Sequence, residues 1–165
     1  YGGIGLNYSR LDAGISPNGA NFDDRAKGGS LFLGYESLFS TSSRASFAIE
    51  GSADLFVNFR TSQATAKLRG ATLISKLILP VSKTGVVRLF GEGGAFFWRN
   101  QVTEKVGPLG AVSTIRQKED GVDPMFGLGV DVSVAPGVRL LLDHRYVDFS
   151  DAELQITSLR GLYYF

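Results

Sequence analysis

The sequence contains no cysteine, which excludes disulfide bonds, thiolate metal ligands and a cysteine nucleophile. Its one histidine, His144, excludes a metal site built from several histidines, and we expect no cofactor. No apolar run approaches the roughly 18 residues that a membrane-spanning helix needs. Charged residues make up only 20% of the chain, and the net charge is +1 with no basic tract. A nucleic-acid partner, which requires clustered lysine and arginine, is therefore not expected.

The sequence is instead rich in alternation with a period of two residues, which indicates β-strands. The clearest runs are residues 45–59 and 122–134, in which one face carries no charge. Both are at least as long as the roughly 9 to 11 residues with which a tilted strand crosses a bilayer. The whole chain, treated in this way, gives eight predicted strands: 1–10, 28–38, 45–59, 67–79, 86–99, 122–134, 138–149 and 153–165.

The connections between these strands differ in length. Those after the second, fourth and sixth strands are short, whereas residues 11–27 and 100–121 form long loops. Short turns at one rim and long loops at the other are typical of bacterial outer-membrane barrels. We therefore predict a single domain, residues 1–165, with an all-β fold: an eight-stranded antiparallel up-and-down transmembrane β-barrel.

Alternation alone does not say which face points inward. A soluble lipocalin-like barrel has apolar residues inside and polar residues outside, and its sequence shows the same alternation. Three observations favour a polar interior. Acidic and basic residues on the polar face nearly balance, four of the five basic ones are arginines suited to buried ion pairs, and the opposite face is nearly uncharged. That opposite face also carries aromatic residues near the strand ends, as lipid-facing surfaces do: Tyr8, Tyr35, Phe47, Phe59, Phe97, Tyr146, Tyr163 and Phe165.

Hairpin geometry predicts which interior charges meet. Symmetric pairing of the third and fourth strands about residue 63 places Glu50 opposite Lys76, and a hairpin centred near residue 82 or 83 brings Arg88 and Glu92 to the same place. A second cluster is expected around Asp143. The residues assigned to the two clusters are Glu50, Lys76, Arg88 and Glu92 for the first, and Asp131, Arg139, Asp143 and Arg160 for the second. We interpret both as structural neutralisation that fills the interior, with a gate or proton path as the alternative.

Two segments carry a family resemblance. Residues 140–153, LLLDHRYVDFSDAE, and residues 90–98, FGEGGAFFW, resemble the transmembrane domain of outer-membrane protein A and the related opacity-type small barrels. The resemblance implies an integral bacterial outer-membrane protein in contact with outer-membrane lipids and lipopolysaccharide. The final residues, LRGLYYF, look like the aromatic signal that the barrel-assembly machinery reads, with Tyr163 and Phe165 on the lipid face. Because the first residue is Tyr and no cell-wall-binding domain follows the barrel, we expect a processed, stand-alone barrel.

Three functions remain open. We favour a non-enzymatic barrel that serves membrane integrity, adhesion or host-factor binding through loops 11–27 and 100–121. The alternative is a narrow or gated channel. The third is a lipid A-modifying enzyme, because pairing about residues 150 and 151 places Thr157 beside His144 on the lipid face. This pair resembles the site of lipid A deacylase barrels, but the serine expected two residues after the histidine is Tyr146.

Overall fold

The computed structural model describes residues 1–13, 22–39, 45–56, 59–60, 64–82, 84–106, 113–149 and 152–165. Its strands are β1 (Gly2–Ala13), β2 (Phe22–Leu38), β3 (Ser46–Phe56), β4 (Phe59–Arg60), β5 (Ala64–Pro80), β6 (Val87–Val106), β7 (Ser113–Ala135), β8 (Val138–Phe149) and β9 (Ala152–Tyr163). Within these ranges, no helix has the length and apolar character to cross a membrane.

The strands form one closed antiparallel sheet. Consecutive strands pair with each other except β3 and β4. Both of these pair with β5, and the two-residue β4 continues the β3 position of the wall. The first and last strands pair along their full length, from Gly2 opposite Tyr163 to Ala13 opposite Ala152. This closure confirms the predicted eight-stranded up-and-down barrel.

Several strands are longer than predicted. The β6–β7 hairpin continues to Val106 opposite Ser113, so most of the predicted loop 100–121 is strand. The predicted loop 11–27 is also too long, because β1 runs to Ala13 and β2 begins at Phe22. Both loops were predicted too long because strands pair through backbone hydrogen bonds. This pairing continues beyond the residues in which apolar and polar side chains alternate. The central parts of these loops, residues 14–21 and 107–112, lie outside the described residues.

The two ends of the barrel differ. Both termini lie at one end, here called the near end, with the turns that link β2 to β3, β5 to β6 and β7 to β8. The last of these turns contains only Pro136 and Gly137, whose φ of 72° is the left-handed conformation that tight hairpins use. The opposite or far end carries the extended β6–β7 hairpin.

The outer surface is apolar and the interior is polar. In β3, Glu50 and Asp54 are fully buried, whereas Leu55, the residue after Asp54, is 62% exposed. Leu128, at 70%, and Tyr35, at 73%, are among the many large apolar side chains on the outside. This distribution is the reverse of that in a soluble protein and agrees with the predicted facing. Exposed aromatic residues include Tyr8, Phe97, Tyr163 and Phe165, whereas the side chain of Phe59 lies outside the described residues.

The interior is layered along the barrel axis. An apolar cluster toward the far end contains Phe56 and Phe96, whose ring centroids lie 6.4 Å apart. A second apolar cluster toward the near end contains Phe32, Phe90 and Leu162. Charged side chains lie between the two clusters. Side chains therefore occupy the barrel interior at successive levels.

Candidate functional site

The layer between the apolar clusters is a group of six charged residues, here called the central cluster. It comprises Glu50, Lys76, Glu92, Asp143, Arg145 and Arg160. All six side chains are almost completely buried. Three carboxylates face three cations, so the formal charges cancel within the layer.

Short ion pairs connect the central cluster. Lys76 Nζ lies 2.6 Å from Glu50 Oε2, and Arg160 Nη1 lies 2.6 Å from Glu50 Oε1. Arg160 Nε also donates to Asp143 Oδ2 at 2.6 Å. Arg145 Nε lies 2.8 Å from Glu92 Oε1 and 3.1 Å from Asp143 Oδ1. Each carboxylate is therefore compensated, which buried charges require.

The register that creates this cluster differs from the predicted one. Pairing of β3 with β5 places Ala48 opposite Lys76 and Glu50 opposite Ile74, a shift from the predicted centre. Lys76 nevertheless reaches Glu50, because a long side chain spans the diagonal between neighbouring strands. The next hairpin places Lys76 opposite Glu92 and Pro80 opposite Arg88. Arg88 is consequently four residues closer to the near end than Glu92, and its predicted place in this cluster was wrong.

Arg88 belongs instead to a second network, the near-end cluster. Its guanidinium lies 2.6 Å from Glu36 Oε1 and also binds Asp131, which accepts a hydrogen bond from Arg139. Tyr164, just beyond β9, donates to Glu36 and accepts from Arg88. Asp131 and Arg139 thus lie with Arg88, away from the Asp143–Arg160 pair with which they were grouped.

Arg145 was missing from the predicted clusters although the alternation places it on the interior face. The register gives the reason for its position: Gly127 lies opposite Glu92 on one side and opposite Arg145 on the other. A Cβ atom at Gly127 would lie 3.1 Å from both side chains. The missing side chain at Gly127 therefore lets Arg145 reach Glu92 across an intervening strand. A comparison of both hairpin registers would have found this contact.

Neutral donors compensate a further buried carboxylate, Asp54. Asn7 Nδ2 donates to Asp54 Oδ1 at 3.0 Å, and Ser52 Oγ donates to Oδ2 at 2.7 Å. Thr72 Oγ1 lies 2.6 Å from the same serine oxygen. These contacts link strands β1, β3 and β5 in the interior. In the part of the chain that the structure describes, no three acidic or histidine side chains are arranged to hold a metal ion.

The outer surface carries a basic patch near the far end, formed by β5, β6 and β7. Lys67, Gln101 and Lys118 form one cross-strand row, and Arg69, Arg99 and Asp120 form the next. The four basic residues, Lys67, Arg69, Arg99 and Lys118, are exposed. Arg69 and Arg99 are direct neighbours, a like-charge pairing that favours an anion beside them. The following row toward the near end, with Phe97 and Val122, is apolar.

A second feature of the outer surface is the exposed His144. Its Nδ1 atom lies 3.0 Å from Thr157 Oγ1, and the two residues are directly opposed, as the predicted pairing required. Tyr146 lies two residues further along β8 and is directly opposite Gln155.

Comparisons with known proteins connect this geometry to a family. The sequence matches the family model described as OmpA-like transmembrane domain over residues 1–158. A search of curated proteins finds no match to the chain.

Solved structures give the same fold. The chain resembles Ail, the attachment invasion locus protein of Yersinia pestis, with a TM-score of 0.61, 13% identity, and coverage of 99% of this chain and 97% of that chain. A structure of Ail with the heparin analogue sucrose octasulfate gives a TM-score of 0.61, 16% identity and the coverages 99% and 97%. Neisserial surface protein A is similar with a TM-score of 0.48, 17% identity and coverages of 99% and 97%. On the match to its family model, the chain belongs to the OmpA-like transmembrane domain family and is an integral protein of the bacterial outer membrane.

Proposed function

We propose that this barrel is a non-enzymatic attachment protein whose basic patch binds polyanionic glycans outside the cell. The single observation that carries the proposal is the exposed group of Lys67, Arg69, Arg99 and Lys118 on the extended far end. Clustered cations raise the local concentration of an anionic ligand and accelerate its association. The chemistry fits sulfate or phosphate groups on sugars, which arginine binds in a bidentate manner.

The proposal requires the far end to face outward. Both termini and the two-residue turn at Gly137 lie at the near end, and the extended hairpin lies at the opposite end. Short turns on the periplasmic side and longer extensions on the outside are the arrangement of outer-membrane barrels. The complex of Ail with a heparin analogue supports the ligand class, since Ail has the same fold.

The filled interior supports attachment over the alternative of a channel. Charged residues and two apolar clusters occupy successive levels of the barrel. An eight-stranded barrel has an interior just wide enough for such side chains. For the enzyme alternative, His144 and Thr157 provide the only sequence-based site, and Tyr146 occupies the position where the deacylase pattern has serine.

Heparin binding tests the proposal. The purified protein in zwitterionic detergent should bind a heparin column and elute at moderate salt, because screening weakens exposed charges. The double variant Arg69→Ser/Arg99→Ser should elute much earlier. The matched control is Arg10→Ser/Lys27→Ser, which removes two exposed cations from β1 and β2 and should leave elution nearly unchanged. Equal elution of both double variants would contradict a specific patch.

The same patch adjoins the membrane, so the anionic groups could come from lipopolysaccharide. Nanodiscs prepared with and without lipopolysaccharide separate the two sources. Retained heparin binding in both preparations supports an external glycan. Loss of heparin binding when lipopolysaccharide is present would assign the patch to the membrane itself. The proposed lipid contact and the proposed assembly signal at Tyr163 and Phe165 are compatible with their exposure on the outer surface.

A further inference from the structure

A row of four polar side chains crosses the outer wall on strands that carry no part of the basic patch. Tyr8 lies opposite Lys27 on one side and opposite Thr157 on the other. Thr157 in turn lies opposite His144. All four residues are exposed. These four, here called the polar row, therefore place one cation, two hydroxyl groups and one imidazole side by side over strands β2, β1, β9 and β8.

The polar row borders the apolar belt of the outer surface. The adjacent outward-facing row toward the near end contains three exposed leucines in register, Leu6, Leu159 and Leu142. The adjacent row toward the far end contains Arg10 and Gln155. Barrel surfaces are apolar where they meet hydrocarbon, and amphipathic side chains such as tyrosine lie at the headgroups. The polar row therefore marks where this part of the wall passes from hydrocarbon to headgroups.

A groove of about 370 Å³ opens in the outer surface beside the polar row. The residues that line it come from both rows and include Leu6, Leu142 and Leu159 from the apolar row and Tyr8, Lys27 and Thr157 from the polar row. Thr157 has a short side chain between the larger ones of Tyr8 and His144, so the polar row is lowest there. The groove is thus apolar toward the near end and polar toward the far end, which suits an acyl chain joined to a charged headgroup.

The polar row supplies the charge and the hydrogen-bond donors that a phosphate group requires. Lys27 is a cation, and the Tyr8 hydroxyl group is a donor. His144 Nδ1 lies 3.0 Å from Thr157 Oγ1. When the threonine donates to Nδ1, the Nε2–H of the imidazole is available to a ligand, and when Nδ1 donates, the threonine hydroxyl is available. We propose that the polar row binds a phosphate group of lipid A, with one of its acyl chains in the groove.

The position of the site selects lipid A over a phospholipid. The near end carries both termini and the short turns, as the periplasmic end of an outer-membrane barrel does. The polar row borders the apolar belt on its far-end side, so it faces the outer leaflet. The lipid of that leaflet is lipopolysaccharide, whose lipid A carries phosphate groups on the same sugars as its acyl chains. A phospholipid of the inner leaflet would place its phosphate at the near end instead.

Native mass spectrometry tests the ligand. The purified barrel in zwitterionic detergent is titrated with bisphosphorylated lipid A, with the same lipid A after removal of its phosphates, and with phosphatidylglycerol. We expect the first to bind at least about tenfold more tightly than the other two, since charge-assisted hydrogen bonds to phosphate depend on its charge and on the fit of the acyl chains. Equal binding of dephosphorylated lipid A would overturn phosphate recognition. Equal or tighter binding of phosphatidylglycerol would assign the groove to a phospholipid and overturn the choice of lipid A.

Two variants at Lys27 test the charge. Lys27→Met removes the positive charge and keeps a long side chain, whereas Lys27→Arg keeps the charge. Lipid A should bind at least about tenfold more weakly to Lys27→Met than to Lys27→Arg. Heparin elution depends on the basic patch and should be the same in both, so failure of the proposed glycan binding would leave this comparison intact. Full binding of lipid A by Lys27→Met, together with its loss in Arg69→Ser/Arg99→Ser, would place lipid A on the basic patch and overturn the proposal.

A third variant tests the groove. Thr157→Leu fills the low point of the polar row and leaves Lys27 in place, and it should weaken lipid A binding at least about tenfold. The matched control is Ser75→Leu, which adds the same side chain at an exposed position of β5 and should bind lipid A as the wild type does. The shift between boiled and unboiled samples on a gel shows that each variant is folded. Lipid A affinity that is unchanged in Lys27→Met or in Thr157→Leu would overturn the proposal.

Discussion

Arg160 Nη1 donates to Glu50 Oε1 at 2.6 Å across the barrel interior, between strands β9 and β3, which share no backbone pairing. The contact joins residues 110 positions apart in the sequence. Glu50 also accepts from Lys76 and from the hydroxyl group of Tyr1. One carboxylate thus ties together four separate parts of the chain.

Replacement of this carboxylate should destabilise the barrel strongly. Glu50→Ala leaves Lys76 and Arg160 with less negative charge in a buried site, which costs about 3 to 5 kcal/mol. Urea unfolding in phospholipid vesicles measures the loss in free energy of unfolding. The control is Glu119→Ala, an exposed carboxylate whose removal should change stability by less than about 0.5 kcal/mol. A Glu50→Ala variant as stable as this control would contradict a structural role for the central cluster.

Substitution by alanine should affect the stability of the barrel differently at Gly127 and at Gly91. At Gly127 a Cβ atom would lie 2.8 Å from the carbonyl oxygen of His144 and press on Arg145, whereas at Gly91 it would meet open space. Gly127→Ala should therefore cost about 1 to 3 kcal/mol through overpacking, and Gly91→Ala should be close to neutral. The same vesicle unfolding measurement compares them. Equal stability of the two variants would show that Arg145 can move aside without cost.

A charged residue on the outward face of β7 should destabilise the barrel. Val130→Arg places a guanidinium on the lipid-facing wall and is expected to cost about 2 to 4 kcal/mol. Thr84→Arg, in the exposed β5–β6 turn, is the control and should be tolerated. Folding is read from the shift between boiled and unboiled samples on a gel and from unfolding curves. Equal tolerance of both arginines would contradict the assigned facing.

The barrel should not conduct ions. Among the residues that the structure describes, the apolar clusters around Phe96 and Phe90 lie on either side of the ion-paired central cluster, an arrangement that disfavours a continuous polar path. Planar-bilayer recordings should show no reproducible current steps for the wild type. Reproducible steps whose size changes in Lys76→Ala or Glu92→Ala would instead support the channel alternative.

Lipid A should be unaffected by His144. Although His144 contacts Thr157, a threonine hydroxyl requires special activation to act as a nucleophile. Mass spectra of lipid A from cells producing the wild type and His144→Ala should therefore be identical. A wild-type-specific loss of acyl chains, absent in the variant, would establish the enzyme alternative.

The sequence was sufficient for the fold but not for the pairing of interior charges. The inward orientation of the polar face could be predicted for two reasons. Alternation shows which residues share a face, and the charges on that face, such as Glu50 and Arg145, are balanced as buried charges must be. Which interior charges meet depends on the residue at which each hairpin is centred. A small error in that centre led to the prediction of Arg88 in the central cluster, whereas it lies in the near-end cluster. Cross-barrel contacts such as Arg160 to Glu50 join strands with no shared turn, so no local rule could locate them.

The pairing of Gly2 with Tyr163 and of Ala13 with Ala152 also means that the wall closes only with its last strand. Without the twelve residues of β9, Ala152–Tyr163, both β1 and β8 would keep an unpaired edge. Exposed edges of this kind are templates for aggregation. A chain truncated before Ala152 would therefore form an open sheet rather than a smaller barrel.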